Sequence, residues 1–274
     1  MSFTQWYNLK TLKTMLTQII NGRILTPQGW LKDGSIILRD NKILEVTNCD
    51  LAIIGANIID AKGMYVVPGG IEMHVHGGGG RDFQEGTEEA FRTAIEAHAK
   101  HGTTSIFPTL SSSTVPMIEQ AVDTCQKMMA EPDSPILGLH LEGHYLNPLK
   151  AGAQMPEWLK DPDPTYKEDI YAYQSFPGAS ALFFLKRWDA APELPGAMQF
   201  GKFCAEKGIL PSIAHTHAEY SDVKTAFEAG FTHVTHFYNA MPGFHNKQGY
   251  KYEGTVESVY LDRKSTRLNS SHIT

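Results

Sequence analysis

Pro68-Gly69-Gly70-Ile71-Glu72-Met73-His74-Val75-His76-Gly77-Gly78-Gly79-Gly80 is a short apolar run that ends in His-x-His and passes straight into four glycines. Strand periodicity puts residues i and i+2 on one face, so the two imidazoles point the same way and can converge on one cation. A parallel barrel carries its active site at the C-terminal ends of such strands. An edge strand exposes two histidines just as readily, so His74 and His76 gain meaning only from what other strand ends hold.

Beyond this stretch, short apolar runs alternate with longer amphipathic ones, the rhythm of βα units around a parallel sheet. The predicted strands are 70–76, 103–110, 136–143, 183–189, 209–215 and 232–237. Thr87-Glu88-Glu89-Ala90 and Ser113-Thr114-Val115-Pro116 carry the residues that open helices. The fold class is therefore α/β, a TIM-type (β/α)8 barrel. Six strands in about 190 residues fall short of the roughly 250 of a full barrel, so residues 68–261 read as a partial barrel lacking about two βα units. Ahead of it, residues 15–67 form short β segments at 18–24, 34–39, 42–46 and 57–60, broken by Asn-Gly, Pro-Gln-Gly and Asp-Asn, which predicts a small N-terminal β domain. Residues 1–14 read as an upstream extension, with Met15 as the start. Residues 262–274 show no period and no apolar face, and read as a non-native or disordered tail.

Three further predicted strands end in ligand-type residues. They are Gly138-Leu139-His140-Leu141-Glu142-Gly143-His144, Ile213-Ala214-His215-Thr216-His217, and His233-Val234-Thr235-His236-Phe237-Tyr238-Asn239-Ala240-Met241. One buried histidine is ordinary core; histidine or glutamate at four strand ends is a metal-binding pattern. The absence of cysteine from these ends points to a catalytic and not a structural ion, which is commonly closed by thiolates. A divalent cation so held activates water and polarises a carbonyl, which is the chemistry of hydrolysis. Gly77 to Gly80 lack the Lys-Ser/Thr of a nucleotide loop and read as an active-site loop, not a phosphate cradle.

The 274 residues carry a formal charge of -6, so no basic field draws in nucleic acid or an acidic membrane. No apolar run is long enough to cross a bilayer, and the N-terminus lacks a secretory pattern. Cys49, Cys125 and Cys204 are few and far apart, as free thiols of a cytoplasmic protein are.

These segments, with Trp188-Asp189-Ala190-Ala191-Pro192-Glu193 and the Thr235 to Pro242 run, resemble the N-acetylglucosamine-6-phosphate deacetylases of the amidohydrolase superfamily. The likeness extends from about Met15 to Leu261. It implies hydrolysis of the N-acetyl group of N-acetylglucosamine 6-phosphate to glucosamine 6-phosphate and acetate. It implies Glu142, His215 and His236 as ligands of the principal divalent ion, zinc or iron, with His74 and His76 as a second site, giving one or two ions per subunit. Ala153, Gln154, Asn239 and Ala240 are implied contacts for the amino-sugar phosphate. Lys247 stands where the family has an arginine that reaches across a homodimer interface, and lysine lacks the bidentate fork. The family's acid/base aspartate belongs to the last barrel strand, beyond this sequence, so the chain as written is expected to turn over little substrate; Asp189 and Glu193 read as structural. Residues 171–182 fit the family pattern poorly. Two other readings stand beside this one. A cyclic-amide hydrolase or deaminase would bridge two metals with a carboxylated lysine, for which Lys186 is the candidate, although Glu142 already fills the bridging role. A non-catalytic binding protein could also use this frame.

Overall fold

The computed structural model describes residues 16–40, 42–49, 53–163 and 184–261. The expectations for 1–14, 171–182 and 262–274 concern residues outside these ranges. The chain divides between Gly69 and Gly70 into two compact units.

In the first unit, β1 (Leu16–Thr26) pairs antiparallel with β2 (Gly29–Arg39), which pairs antiparallel with β3 (Lys42–Thr47). On its other side β1 runs parallel to β4 (Asn57–Asp60) and β5 (Tyr65–Val66). Asn21-Gly22 lies inside β1, as it does inside the expected segment 18–24, and its turn chemistry appears there as an irregularity, with Asn21 at φ 56°. Gly22 is required there because a Cβ would lie 2.6 Å from Val66. A bulge of this kind keeps the strand going while twisting it.

The second unit is built on β6 (Gly70–Val75), β9 (Thr103–Ser111), β10 (Leu139–Tyr145), β11 (Leu185–Ala190), β12 (Leu210–Ile213) and β13 (His233–Val234). All pairings are parallel, in the spatial order β13-β12-β11-β10-β9-β6. This is the incomplete TIM-type barrel that the alternation predicted, with each of the six strands found where an apolar run stood. Every residue of β10 is buried, as a central parallel strand covered on both faces must be. The sheet curls so far that His74 on one edge strand and His236 beyond the other bring their ring centroids within 5.5 Å.

Helices pack against the sheet as their caps and apolar faces dictate. In α1 (Glu88–Ala99), Thr87 accepts a hydrogen bond from Ala90 N–H at 3.2 Å, two glutamates sit in the first turn, and Ala90, Phe91 and Ala94 are buried. In α2 (Val115–Met129), Pro116 stands in the first turn and Ile118, Ala121, Cys125 and Met128 make the buried stripe. Next come α3 (Ala197–Glu206), α4 (Tyr220–Glu228) and α5 (Thr255–Leu261). Phe200 of α3 packs edge-on against both Tyr145 and Trp188, at 4.9 and 5.0 Å between centroids. Trp188 also donates from its indole to Gly143 O at 2.9 Å, which holds β10 and β11 together just below the site.

Two small hairpins complete the unit. Gly77 to Gly80 are not an open loop: β7 (Gly77–Gly78) and β8 (Arg81–Asp82) form a tight antiparallel turn. A Cβ at Gly77 would lie 2.1 Å from Arg81 O, and His98 Nε2 holds Gly77 O at 2.9 Å, so Gly77 serves close backbone packing, while Gly79 and Gly80 take positive φ of 62° and 81° in the turn. The second hairpin joins β14 (His245–Lys247) to β15 (Tyr250–Tyr252).

Candidate metal centre

Glu142 on β10 is buried at the C-terminal end of the sheet, and four imidazoles surround its carboxylate. His236 Nε2 and His215 Nε2 lie 2.9 and 3.0 Å from Oε1, His74 Nε2 lies 3.8 Å from the same atom, and His76 Nε2 lies 3.1 Å from Oε2. The five residues that the resemblance implied as ligands thus come together at one point. His74, Glu142 and His236 offer donor atoms all within 4.8 Å of one another.

What the far side of each ring does decides which nitrogen faces the centre. His215 Nδ1 lies 2.7 Å from Lys150 O, and His236 Nδ1 lies 3.1 Å from Asn239 O. A carbonyl only accepts, so both Nδ1 atoms carry the hydrogen and both Nε2 lone pairs turn toward Glu142. Those two Nε2 atoms are 3.0 Å apart. Two lone pairs and a carboxylate at this separation repel unless positive charge lies among them, and the donor set therefore fits a divalent cation. In the ion-free protein, protons supply part of that positive charge. Burial pushes Glu142 up, but hydrogen bonds with His215, His236 and His76 outweigh it and hold the carboxyl well below its usual range. Burial works to lower His76 and His215, yet the Glu142 carboxylate raises both.

Backbone strain aims two of the imidazoles. His215 and His236 have φ of 42° and 32°, left-handed values that cost a non-glycine residue about 1–3 kcal/mol. The surroundings over-determine them: Asn147 N–H donates to His215 O at 2.9 Å and Asn239 N–H to His236 O at 2.8 Å. Glu193 binds the following turn, accepting from Asn147 Nδ2 at 2.8 Å and from His217 N–H at 2.6 Å. That is the structural role its position suggested.

A cavity of about 380 Å³ opens over the centre, and Ala153, Gln154, Asn239 and Ala240 line it together with His76, Glu142, His215 and His236. Gln154 is also tied to the centre, accepting from Ser112 N–H and donating to Glu142 Oε2, each at 2.8 Å. Lys247 is not brought in: it does not line the cavity, and its exposed ammonium is paired with Glu219 at 3.0 Å. The carboxylate neutralises the charge that a phosphate would otherwise attract. Lys186 is equally remote. Its side chain lies against Gly138, where a Cβ would meet Lys186 Cγ at 2.2 Å. On β11 its neighbours Arg187 and Asp189 face the barrel interior, so alternation turns Lys186 outward. Asp82, Ser111 and Gly152 also line the cavity and were not singled out from sequence. Ser111 ends a strand as the ligands do and contacts His76 Nδ1 at 3.2 Å, a signal that strand-end reasoning could have used.

Residues 65–273 match the sequence profile of the amidohydrolase family. The chain belongs to that family. Within the amidohydrolases it is similar to N-acetylglucosamine-6-phosphate deacetylase of Lysinibacillus sphaericus, with 28% identity over 88% of this chain and 58% of that protein. It is also similar to N-acetylgalactosamine-6-phosphate deacetylase of Escherichia coli O157:H7, with 26% identity over 91% of this chain and 63% of that protein. The crystal structure of N-acetylglucosamine-6-phosphate deacetylase from Pasteurella multocida superposes with a TM-score of 0.82 at 26% identity, covering 92% of this chain and 64% of that one. The chain spans less than two thirds of the length of each of these relatives. No described helix is long and apolar enough to cross a membrane.

Proposed function

We propose that the whole protein removes the N-acetyl group of an amino-sugar 6-phosphate, N-acetylglucosamine 6-phosphate before others, releasing acetate and the free amine. The observation that carries this reading is the convergence of four imidazole Nε2 atoms on the buried Glu142 carboxylate beneath an open cavity. Glu142, His215 and His236 would hold the principal ion, zinc or iron, and His74 with His76 a second. When bound, a divalent cation supplies an ionised water at neutral pH and polarises the carbonyl under attack.

The chain's own groups bind and orient. Gln154 braces Glu142 at Oε2, while His215 and His236 approach Oε1. Ala153, Asn239 and Ala240 offer the wall against which the amino sugar would lie. Lys247 meets a phosphate only by leaving Glu219, which a homodimer in the intact protein would favour by carrying it toward the partner's substrate. The cytoplasmic setting belongs to the same proposal and is supported by three cysteines that are free.

The test is acetate release by the full-length gene product, stripped with a chelator and then resupplied with zinc or ferrous iron. Phosphorylated N-acetylglucosamine and N-acetylgalactosamine are compared, with unphosphorylated N-acetylglucosamine as control. Activity should vanish on stripping, return with the ion, and require the phosphate. No acetate from either phosphorylated sugar would sink the reading, while a preference for the galactose epimer would move it to the sugar of the Escherichia coli relative.

A further inference from the structure

Beneath the centre, His74 joins two buried residues that the proposed chemistry does not use. His140 on β10 and Asp189 on β11 have no exposure at all, and His74 has almost none. His74 Nδ1 and His140 Nδ1 are 3.2 Å apart, and His140 Nε2 lies 2.9 Å from Asp189 Oδ1. We propose that Asp189 and His140 are positioning residues that set the tautomer of His74 and thereby turn its Nε2 lone pair to the Glu142 centre. The inference rests on the reading that this centre takes a divalent cation.

The direction of each bond follows from its neighbour. A carboxylate cannot face a bare ring nitrogen, so Asp189 requires hydrogen on His140 Nε2. Neutral imidazole then leaves His140 Nδ1 as an acceptor. Thr109 Oγ1 is also 3.2 Å from that nitrogen, but its one hydrogen is directed to Phe107 O at 3.2 Å, and it accepts from Val75 N–H at 3.0 Å. The hydrogen between the two rings therefore comes from His74 Nδ1. Its other nitrogen, 3.8 Å from Glu142 Oε1, is left with a lone pair on the side of the ligands.

The same three residues offer donor atoms close enough to hold an ion themselves, and charge decides against it. Asp189 Oδ1 already receives Thr235 Oγ1 at 2.7 Å and has the Arg187 guanidinium 3.7 Å away. Arg187 is itself fixed by Thr235 and by Met73 O at 3.2 Å. One carboxylate is thus matched by one guanidinium, and a divalent ion added here would leave two positive charges uncompensated in a fully buried place. The cluster serves the neighbouring centre and is not a site of its own. Groups behind a ligating histidine change metal affinity by about 10- to 100-fold when removed.

The experiment uses full-length protein labelled with nitrogen-15 histidine and freed of metal. Long-range proton–nitrogen spectra should report His74 with hydrogen on Nδ1. Zinc affinity, measured by competition with a chromophoric chelator, should fall about 10- to 100-fold in His140→Leu and stay within a few-fold of wild type in His140→Gln, whose amide oxygen can still accept. Hydrogen on His74 Nε2 in the wild type, or an unchanged zinc affinity in His140→Leu, would overturn the proposal. Should His140→Leu fail to fold, the wild-type tautomer and the His140→Gln affinity still decide. If the wild type takes up no zinc at all, the metal reading fails, while the tautomer is judged separately from the spectrum.

Discussion

Gln154 stands between the Ser112 amide and the Glu142 carboxylate, and its removal separates two roles that the sequence could not. As a brace, Gln154→Ala should weaken zinc binding by about 10- to 100-fold, read by chelator competition without any substrate. As a sugar contact alone, it would raise KM and leave zinc affinity unchanged. The convergence of the four imidazoles on Glu142 was legible because each residue ends an apolar run, and parallel strands bring such ends together at one end of the sheet. Gln154 and Lys247 were named by resemblance, but their surroundings were not legible. Lys247 is neutralised by Glu219, 28 residues away at the N-cap of α4, and no local pattern announces a tertiary ion pair. Asp189 was read as structural without its reason, which is His140 on the adjoining strand β10, a partner that only the pairing register of β10 with β11 supplies.

At the scale of elements, the six parallel strands were readable because strands buried on both faces are unbroken apolar runs. The last was read too long. Residues 232–237 contract to His233–Val234 because the chain turns at His236, where a positive φ aims the imidazole, and that geometry has no signature in hydropathy. The Gly77 hairpin was missed because four glycines look like freedom, whereas here Gly77 permits close packing and Gly79 and Gly80 make the turn. Gly201 in α3 makes the same point with a measurable sign. Glycine to alanine within a helix ordinarily stabilises by about 0.5–1 kcal/mol. Here an added Cβ would sit 2.4 Å from Phe231 Cε2 and 2.9 Å from Ala229 O. Gly201→Ala should therefore destabilise, by about 1–3 kcal/mol as overpacked cores do, and lower the Tm; a higher Tm would show that the ring of Phe231 can move aside.

For the whole molecule, the buried histidines tie stability to pH. Burial pushes His233 down to about 3 and His74 down to about 2, and it lowers His140 as well. The unfolded chain takes up those protons near pH 6.5. Their contribution is complete above pH 6.5 and drains away below it, by up to about 1.4 kcal/mol per pH unit for each group. His76 and His215, raised in the ion-free protein, act in the opposite sense: their contribution is present below 6.5 and is lost as pH climbs through their folded values. Glu142, lowered, contributes above its ordinary 4.5 and loses that contribution on further acidification. With three histidines held neutral against two favoured as cations, the urea midpoint of ion-free protein should fall between pH 6.5 and 4.5, and a midpoint that rises there would contradict the balance. The curl of the sheet adds a mechanical side to this linkage. Its two edges, β6 and the turn after β13, both reach Glu142, through His74 and His236. An ion gripped there would act as a buckle between the two edges, and at a hundred times its dissociation constant it would tighten the folded state by about 2.7 kcal/mol. Pulling the ends of the chain apart would then meet its stiffest resistance at the ligands themselves.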